Sequence, residues 1–359
     1  MRTLRLVPGR PADPALEGAV LVRDLVVDGR RWSKGHRLSA GELTRLADPA
    51  VRIGTGSGTR PAGQPGALTV LLPDPDDVHE DEAALRLAAA VAGPGVVLRG
   101  PAESRVDLVA AADGILHVRS GPLARLDRID PLEVFTLYDG QAVRAGDLVA
   151  SVKVAPHVVP AAILDRGVRL AERSRPLVRV APFLPRRVAV VVKQSIRAVA
   201  RDRFEASVRD KVVSLGSEVA SFSYVADEPE AVAAALRPLV RGRGHAAIVL
   251  TAGGASTDPA DPFFVAIAAL GGRVVRRGAP AHPGSMLWLA RIGPTDLLGM
   301  PTCGAYSRAT AVDLVLPRLL TGERAGPGLV AGLGHGGVLN RAMRFRFPPY
   351  ARELDAPEG

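Results

Sequence analysis

The 359-residue sequence predicts an α/β fold, a doubly wound, mostly parallel sheet in the C-terminal half preceded by an α+β N-terminal region. Three observations predict it. From residue 188 onward, short apolar runs alternate with longer amphipathic stretches, the order a parallel sheet needs because each crossover requires a long connection. Hydrophobic residues make up 47% of the chain, too many for a disordered polymer and enough to cover a sheet on both faces. Gly 38 and Pro 30 interrupt the chain often enough to exclude a long coiled coil or an all-helical solenoid.

The elements follow in order. Residues 1–66 read as short β segments, turns and a linker. Residues 21–29 form a strand running into an Asp28-Gly29 turn. Ser39 stands three residues before Glu42, the spacing of a capping box, so a helix starts there. Residues 54–66 carry too much Gly and Pro for regular structure. An α+β region spans 67–180. Residues 68–72 are strand-like, and the acids Asp76, Asp77, Glu80, Asp81 and Glu82 then precede a helix over 83–92, where negative charge offsets the positive end of the helix dipole. Those acids suit a metal ion as well, but capping and solvation account for them. Residues 106–118 read as a helix-like stretch, a turn and a strand. Residues 123–129 read as a short helix, 142–154 as a hairpin turning at Ala145-Gly146-Asp147, and 161–172 as an amphipathic helix.

The doubly wound domain is expected over 186–325. Its strands fall at 188–192, 219–225, 246–251, 273–276, 286–292 and 297–300. Its helices fall at 204–215, 228–240, 261–270 and 306–320. Gly216 stops the first helix and Pro262 opens the third, where a missing N–H costs nothing. A tail, 326–359, contains arginines interleaved with aromatics (Arg341, Arg344, Phe345, Arg346, Phe347, Tyr350) and either packs on the body or touches nucleic acid.

The formal net charge is +9, yet only four of the 46 basic residues are lysines (Lys34, Lys153, Lys193, Lys211) and the arginines are scattered singly. With aromatics at 4%, the chain offers neither a phosphate-tracking stripe nor a stacking platform, so no specific nucleic-acid partner is expected. No apolar stretch has membrane-spanning length, and the first residues lack the apolar core of a signal peptide, so a cytoplasmic location is expected. Cys303 is the single cysteine, which excludes an intrachain disulfide and a multi-cysteine metal site.

Ligands of open parallel sheets bind at the carboxyl ends of the strands. Three glycine-containing loops fall there. The first carries Thr251, Gly253, Gly254, Ser256 and Asp261, the second Pro283, Gly284 and Ser285, and the third Gly299, Pro301, Thr302 and Cys303. Glycines let backbone N–H groups approach a phosphate, and a helix N-terminus behind them adds positive potential. Each residue also has a plainer use. The glycines and serines can simply close turns, Asp261 can open a helix beside Pro262, and Cys303 can be an inert buried thiol or a thiolate at a helix start. Neither a P-loop nor a Gly-x-Gly-x-x-Gly fingerprint occurs.

Residues 186–325 resemble the molybdopterin-binding superfamily, which includes molybdopterin adenylyltransferases and molybdenum insertases. The likeness is carried by Thr251-x-Gly253-Gly254-x-Ser256 followed by Asp261, by Pro283-Gly284-Ser285, and by Gly299-Met300-Pro301 with the helix beyond it. The flanking segment 68–160, with Glu80 and Lys153, is similar to bacterial molybdopterin-binding proteins. The sequence departs from the insertases at three places. Lys193, Gln194 and Ser195 stand where they carry Gly-Asp-Glu, Glu205 and Ser207 where they carry Asp-x-Asn, and Thr302, Cys303 and Gly304 where they carry Gly-Asn-Pro. The resemblance implies a protein of molybdenum cofactor biosynthesis that binds molybdopterin or the molybdenum cofactor. It implies adenylyl or molybdenum transfer with ATP or molybdate, Asp261 positioning Mg²⁺, and Asp261 and Glu205 acting in catalysis. Lys211 is a compact cation for the ligand, and self-association to a homo-oligomer is expected by analogy. The alternative is a non-catalytic carrier that hands the cofactor to a client molybdoenzyme.

Overall fold

The structure, a computed structural model, describes residues 1–55, 67–102, 104–193, 198–241, 245–254, 256–301 and 309–352. The chain divides into two compact units. One comprises Met1–Val109, Val118–Leu137 and Leu148–Arg179, the other Ala110–His117, Tyr138–Asp147 and Val180–Gly359.

In the first unit, strand Leu68–Leu72 lies between Arg2–Leu6 and Val20–Leu21, both antiparallel to it. Leu25–Val27 lies between Arg30–Trp32 and Ile53–Thr55. The Asp28-Gly29 turn forms as expected, both residues having positive φ (48° and 79°), the backbone that a two-residue hairpin needs. Helix Ala40–Ala47 starts with the full capping box of Ser39 and Glu42. The acid run behaves differently from a solvated helix start. Helix Glu80–Val91 is capped by His79, and Glu80 is buried with its Oε1 2.9 Å from His157 Nδ1. The Gly-rich segment expected over 54–66 lies, from residue 56 on, outside the described residues.

Two local expectations are corrected. Residues 106–110 are not helical, because Arg105–Ala110 is a strand paired with Leu148–Val154. Its alternation of Val106, Asp107 and Leu108 fits a pleat, and the polar position is met by Ser151 Oγ donating to Asp107 at 2.7 Å. The turn at Ala145-Gly146-Asp147 forms, with Asp147 accepting from Arg144 N at 2.8 Å, but no hairpin follows. Strand Ala142–Val143 pairs with Gly114–Val118, while Leu148–Val154 pairs with Arg105–Ala110 and Leu132–Thr136.

The second unit contains β1 (Arg187–Lys193), α1 (Ala198–Val213), β2 (Glu218–Val225), α2 (Pro229–Val240), β3 (Ile248–Ala252), α3 (Pro262–Ala269), β4 (Arg273–Arg277), β5 (Trp288–Ile292), β6 (Thr295–Met300) and α4 (Ala311–Leu320). The six strands form one sheet in the order β2-β1-β3-β6-β5-β4. The first four in that order are parallel, and β5 runs against both its neighbours. The expected mostly parallel α/β sheet is therefore observed. Strand β1 shows why. Val188, Val190 and Val192 pack with Phe204, Val208 and Val315 on the face of α1 and α4. Ala189 and Val191 pack with Val232, Leu236 and Ile267 on the face of α2 and α3. A strand buried on both sides must be apolar at every position rather than at alternate ones.

Gly216 ends the turn after α1 with φ 74°. Helix α4 is opened by a capping box of Thr310 and Asp313, and residues 306–308 of the helix expected over 306–320 lie outside the described residues. The tail packs on the body, with Phe347 and Ala351 buried in the α1–α4 core. No described helix is long and apolar enough to cross a membrane.

Candidate functional site

The chain leaves β1 toward β2 on one side, with α1 on one face. It then returns across to β3 on the other side, with α2 on the opposite face. The carboxyl ends of β1 and β3 therefore frame a topological switch point, the place where an open α/β sheet leaves a crevice. Lys193 is the last residue of β1, and Gly253, with φ 89°, follows the last residue of β3.

Lys193 organises this edge. Its side chain is 3% exposed, and Nζ lies 3.0 Å from Asp261 Oδ2, 2.6 Å from Asp227 Oδ1 and 5.4 Å from the Phe263 ring centroid. Asp227 follows β2 and Asp261 precedes α3, so one ammonium joins the segments after β2, β1 and β3. Asp227 is 63% exposed, whereas Asp261 is buried with it. Asp261 Oδ1 accepts the Phe263 N–H at 2.9 Å and so caps α3. Both oxygens of the carboxylate expected to position Mg²⁺ are thus engaged. Among the described residues, no group of three or more His, Cys, Asp or Glu side chains is placed to hold a metal ion.

The other expected residues separate into those at the open edge and those used in packing. Gly253 is exposed and Gly254 half-buried. A Cβ at Gly254 would come 2.9 Å from the Phe263 ring, so this glycine permits the loop to lie over α3. Thr251 is 1% exposed and its hydroxyl has no hydrogen-bond partner among the described residues. Ser256 Oγ lies 3.9 Å from Met286 Sδ, beside the second loop. In that loop Pro283 O accepts the Ala311 N–H at 2.9 Å, and a Cβ at Gly284 would meet that same nitrogen at 2.7 Å. Pro283 and Gly284 therefore cover the first turn of α4, and Ser285 accepts from Ala279 N through its carbonyl at 2.9 Å. A Cβ at Gly299 would fall 2.0 Å from the Trp288 indole. That glycine makes room for the tryptophan. Pro301 is buried at the end of β6, and Thr302 and Cys303 lie outside the described residues.

Thr251 and Ala252 of β3 pair with Gly299 and Met300 of β6, so the two strands end side by side. Both helix N-termini behind them carry an acid, Asp261 on α3 and Asp313 on α4. The positive ends that were expected to face an anion are already compensated from within.

Glu205 stands on α1, accepts from Tyr224 Oη at 2.9 Å and lies 3.5 Å from Arg209. Arg201 stacks 3.9 Å from the Tyr224 ring centroid. Lys211, expected as a cation for the ligand, is fully buried and ion-paired to Asp313 inside the core. Sequence reasoning named Lys193 as a departure but not as a site residue. The available signal was a lysine closing a five-residue apolar run, 188–192, in a chain that mostly uses arginine.

These features define a doubly wound α/β domain whose switch point lies between β1 and β3. Residues 188–321 match the family described as a probable molybdopterin binding domain. A crystal structure of molybdenum cofactor biosynthesis protein B is similar to it at 21% identity, covering 38% of this chain and 94% of that one, with a TM-score of 0.31. The molybdopterin biosynthesis MoeA protein of Pyrococcus horikosii is similar at 16% identity, covering 71% of this chain and 80% of that one, with a TM-score of 0.29. No curated protein matches the chain significantly.

Proposed function

We propose that this protein binds molybdopterin, free or molybdenum-loaded, at the carboxyl edge of the parallel sheet, and that it acts in the cytoplasm as a carrier for the assembling cofactor. The observation that carries the reading is the switch point itself. There β1 leads to α1 on one face of the sheet and β3 to α3 on the other, Gly253 and Gly254 leave backbone accessible, and a buried ammonium anchors the floor. The ligand's polar ring edges meet peptide groups of the first loop, and the apolar floor below keeps them out of water, which strengthens each hydrogen bond.

The carrier reading is favoured over adenylyl or molybdenum transfer by the state of the two candidate carboxylates. Asp261 is committed to Lys193 and to the α3 cap, and Glu205 to Tyr224 and Arg209. Transfer requires a group free to position a metal or an incoming oxyanion. The test is purification from molybdenum-replete cells, oxidation, and assay of fluorescent pterin derivatives, repeated with Gly254→Val. Stoichiometric pterin in the wild type, lost in the variant, is expected. Absence of pterin from the wild type, with none taken up on addition, overturns the binding reading. Release of pyrophosphate from ATP, or molybdate consumption, with bound pterin overturns the carrier reading in favour of a transferase.

A further inference from the structure

We propose that the Lys193 ammonium is the resident cation of this edge, holding Asp227 and Asp261 in the way a divalent ion otherwise would, so that the site works without Mg²⁺. The argument starts from the charges. Two carboxylates, one nine-tenths or more buried, converge on one nitrogen at 2.6 and 3.0 Å, and that nitrogen sits on a side chain that is itself 3% exposed. A buried carboxylate must be compensated, and here the compensation is covalently part of β1. The geometry then excludes a second cation. Asp261 Oδ1 is committed to the Phe263 N–H. A Mg²⁺ ion on Oδ2, at its usual distance of about 2.1 Å, would lie within about 5 Å of the ammonium, whose other neighbours are Asp227 and the Phe263 ring. Two like charges that close, with little water between them, repel strongly. The group that the resemblance implied therefore does not fit the residues present, and the lysine is the reason.

This inference rests on taking the β1–β3 edge as the ligand site, but its metal component is testable without ligand. Mn²⁺ binding to the full chain is measured by electron paramagnetic resonance titration for wild type, Asp261→Asn, Lys193→Arg and Lys193→Met. Wild type, Asp261→Asn and Lys193→Arg are expected to share one weak affinity. Lys193→Met, which leaves both carboxylates without a cation, is expected to bind one Mn²⁺ at least tenfold more tightly, and adding Asp261→Asn is expected to abolish the gain. The proposal is overturned if wild type holds a Mn²⁺ that Asp261→Asn weakens tenfold. It is equally overturned if folded Lys193→Met gains nothing. Should Lys193→Met not fold, the wild-type, Asp261→Asn and Lys193→Arg titrations decide. In a second arm, molybdopterin retention in excess EDTA is expected to stay within twofold of that in Mg²⁺. A wild type that binds no molybdopterin defeats the proposed function and leaves the Mn²⁺ result standing on its own.

Discussion

Two buried lysine–aspartate pairs in the α/β unit use the same chemistry for different ends. Lys211 and Asp313 are both fully buried, and Asp313 also accepts from Tyr350 Oη at 2.9 Å and from Thr310 Oγ1 at 3.0 Å. Lys193 and Asp261 are almost as buried, but their third partner, Asp227, is 63% exposed. Each aspartate also caps a helix, α4 in the first pair and α3 in the second. The closed pair is saturated by the protein and joins α1, α4 and the tail. The open pair lies at the switch point of the sheet and retains one arm in solvent. A buried ion pair is thus evidence of a site only when the fold leaves part of its shell to water.

The largest effect should come from breaking the closed pair. Lys211→Met strands the Asp313 carboxylate in the core and is expected to cost about 3–5 kcal/mol, read by urea denaturation. Lys211→Met with Asp313→Asn should recover about half of that loss, because Asn still caps α4 and carries no charge. Equal destabilisation by the single and double variants would show that packing volume, not the unpaired charge, sets the cost.

The opposite end of α4 offers a pH-readable version of the same comparison. Burial pushes the Glu323 carboxyl up, but His117 Nε2, 3.2 Å from its Oε1, and the hydrogen-bonded Arg318 guanidinium outweigh it and bring the group from 4.5 down to about 2. Because the folded value is depressed, the stabilisation is fully present above pH 4.5 and is lost as pH falls toward 2. Glu323→Gln is expected to cost on the order of 2 kcal/mol at pH 7, allowing for the part of the side chain that reaches solvent. The difference between wild type and variant should shrink between pH 4.5 and 2. A constant difference across that window would assign the loss to packing.

Lys193→Met should be milder than Lys211→Met, about 1–3 kcal/mol, since Asp227 can turn to water and only Asp261 is left stranded. Denaturation of the two variants side by side checks the ranking. A larger loss from Lys193→Met would mean that the open arm is as structural as the closed one.

The residues explain what was legible beforehand. The sheet could be read from runs such as 188–192, because a strand buried on two faces has no polar position to disguise it. The capping box at Ser39 and the turn at Asp28 are local, so local sequence specifies them. Residues 106–110 were misread because the partners that make them a strand lie about forty positions away. Gly284 and Gly299 show a deeper limit. A missing side chain looks the same whether it clears space for a ligand or for Ala311 and Trp288, and only the fold tells which atom fills the gap. Lys193 and Lys211 are alike as letters. Their roles differ only in what the chain brings to each nitrogen, Asp227 and Asp261 in one case, Asp313 in the other.

The smallest expected effect probes the open edge most cleanly. The Thr251 hydroxyl is buried without a partner among the described residues, two residues before Gly253. An unpaired buried hydroxyl destabilises the fold, so Thr251→Val, nearly isosteric and still β-branched, should raise stability by up to about 1 kcal/mol. Asp261 and Lys193 stay in place, so the variant isolates one polar atom. If the hydroxyl is kept for the ligand, the same substitution should lower pterin retention severalfold while the denaturation midpoint rises. The two measurements then move in opposite directions, the signature of a polar atom retained for binding at the expense of folding. If stability rises and retention is unchanged, Thr251 belongs with Gly299 among the packing residues, and the contacts to the guest lie farther out, at Gly253 and Gly254.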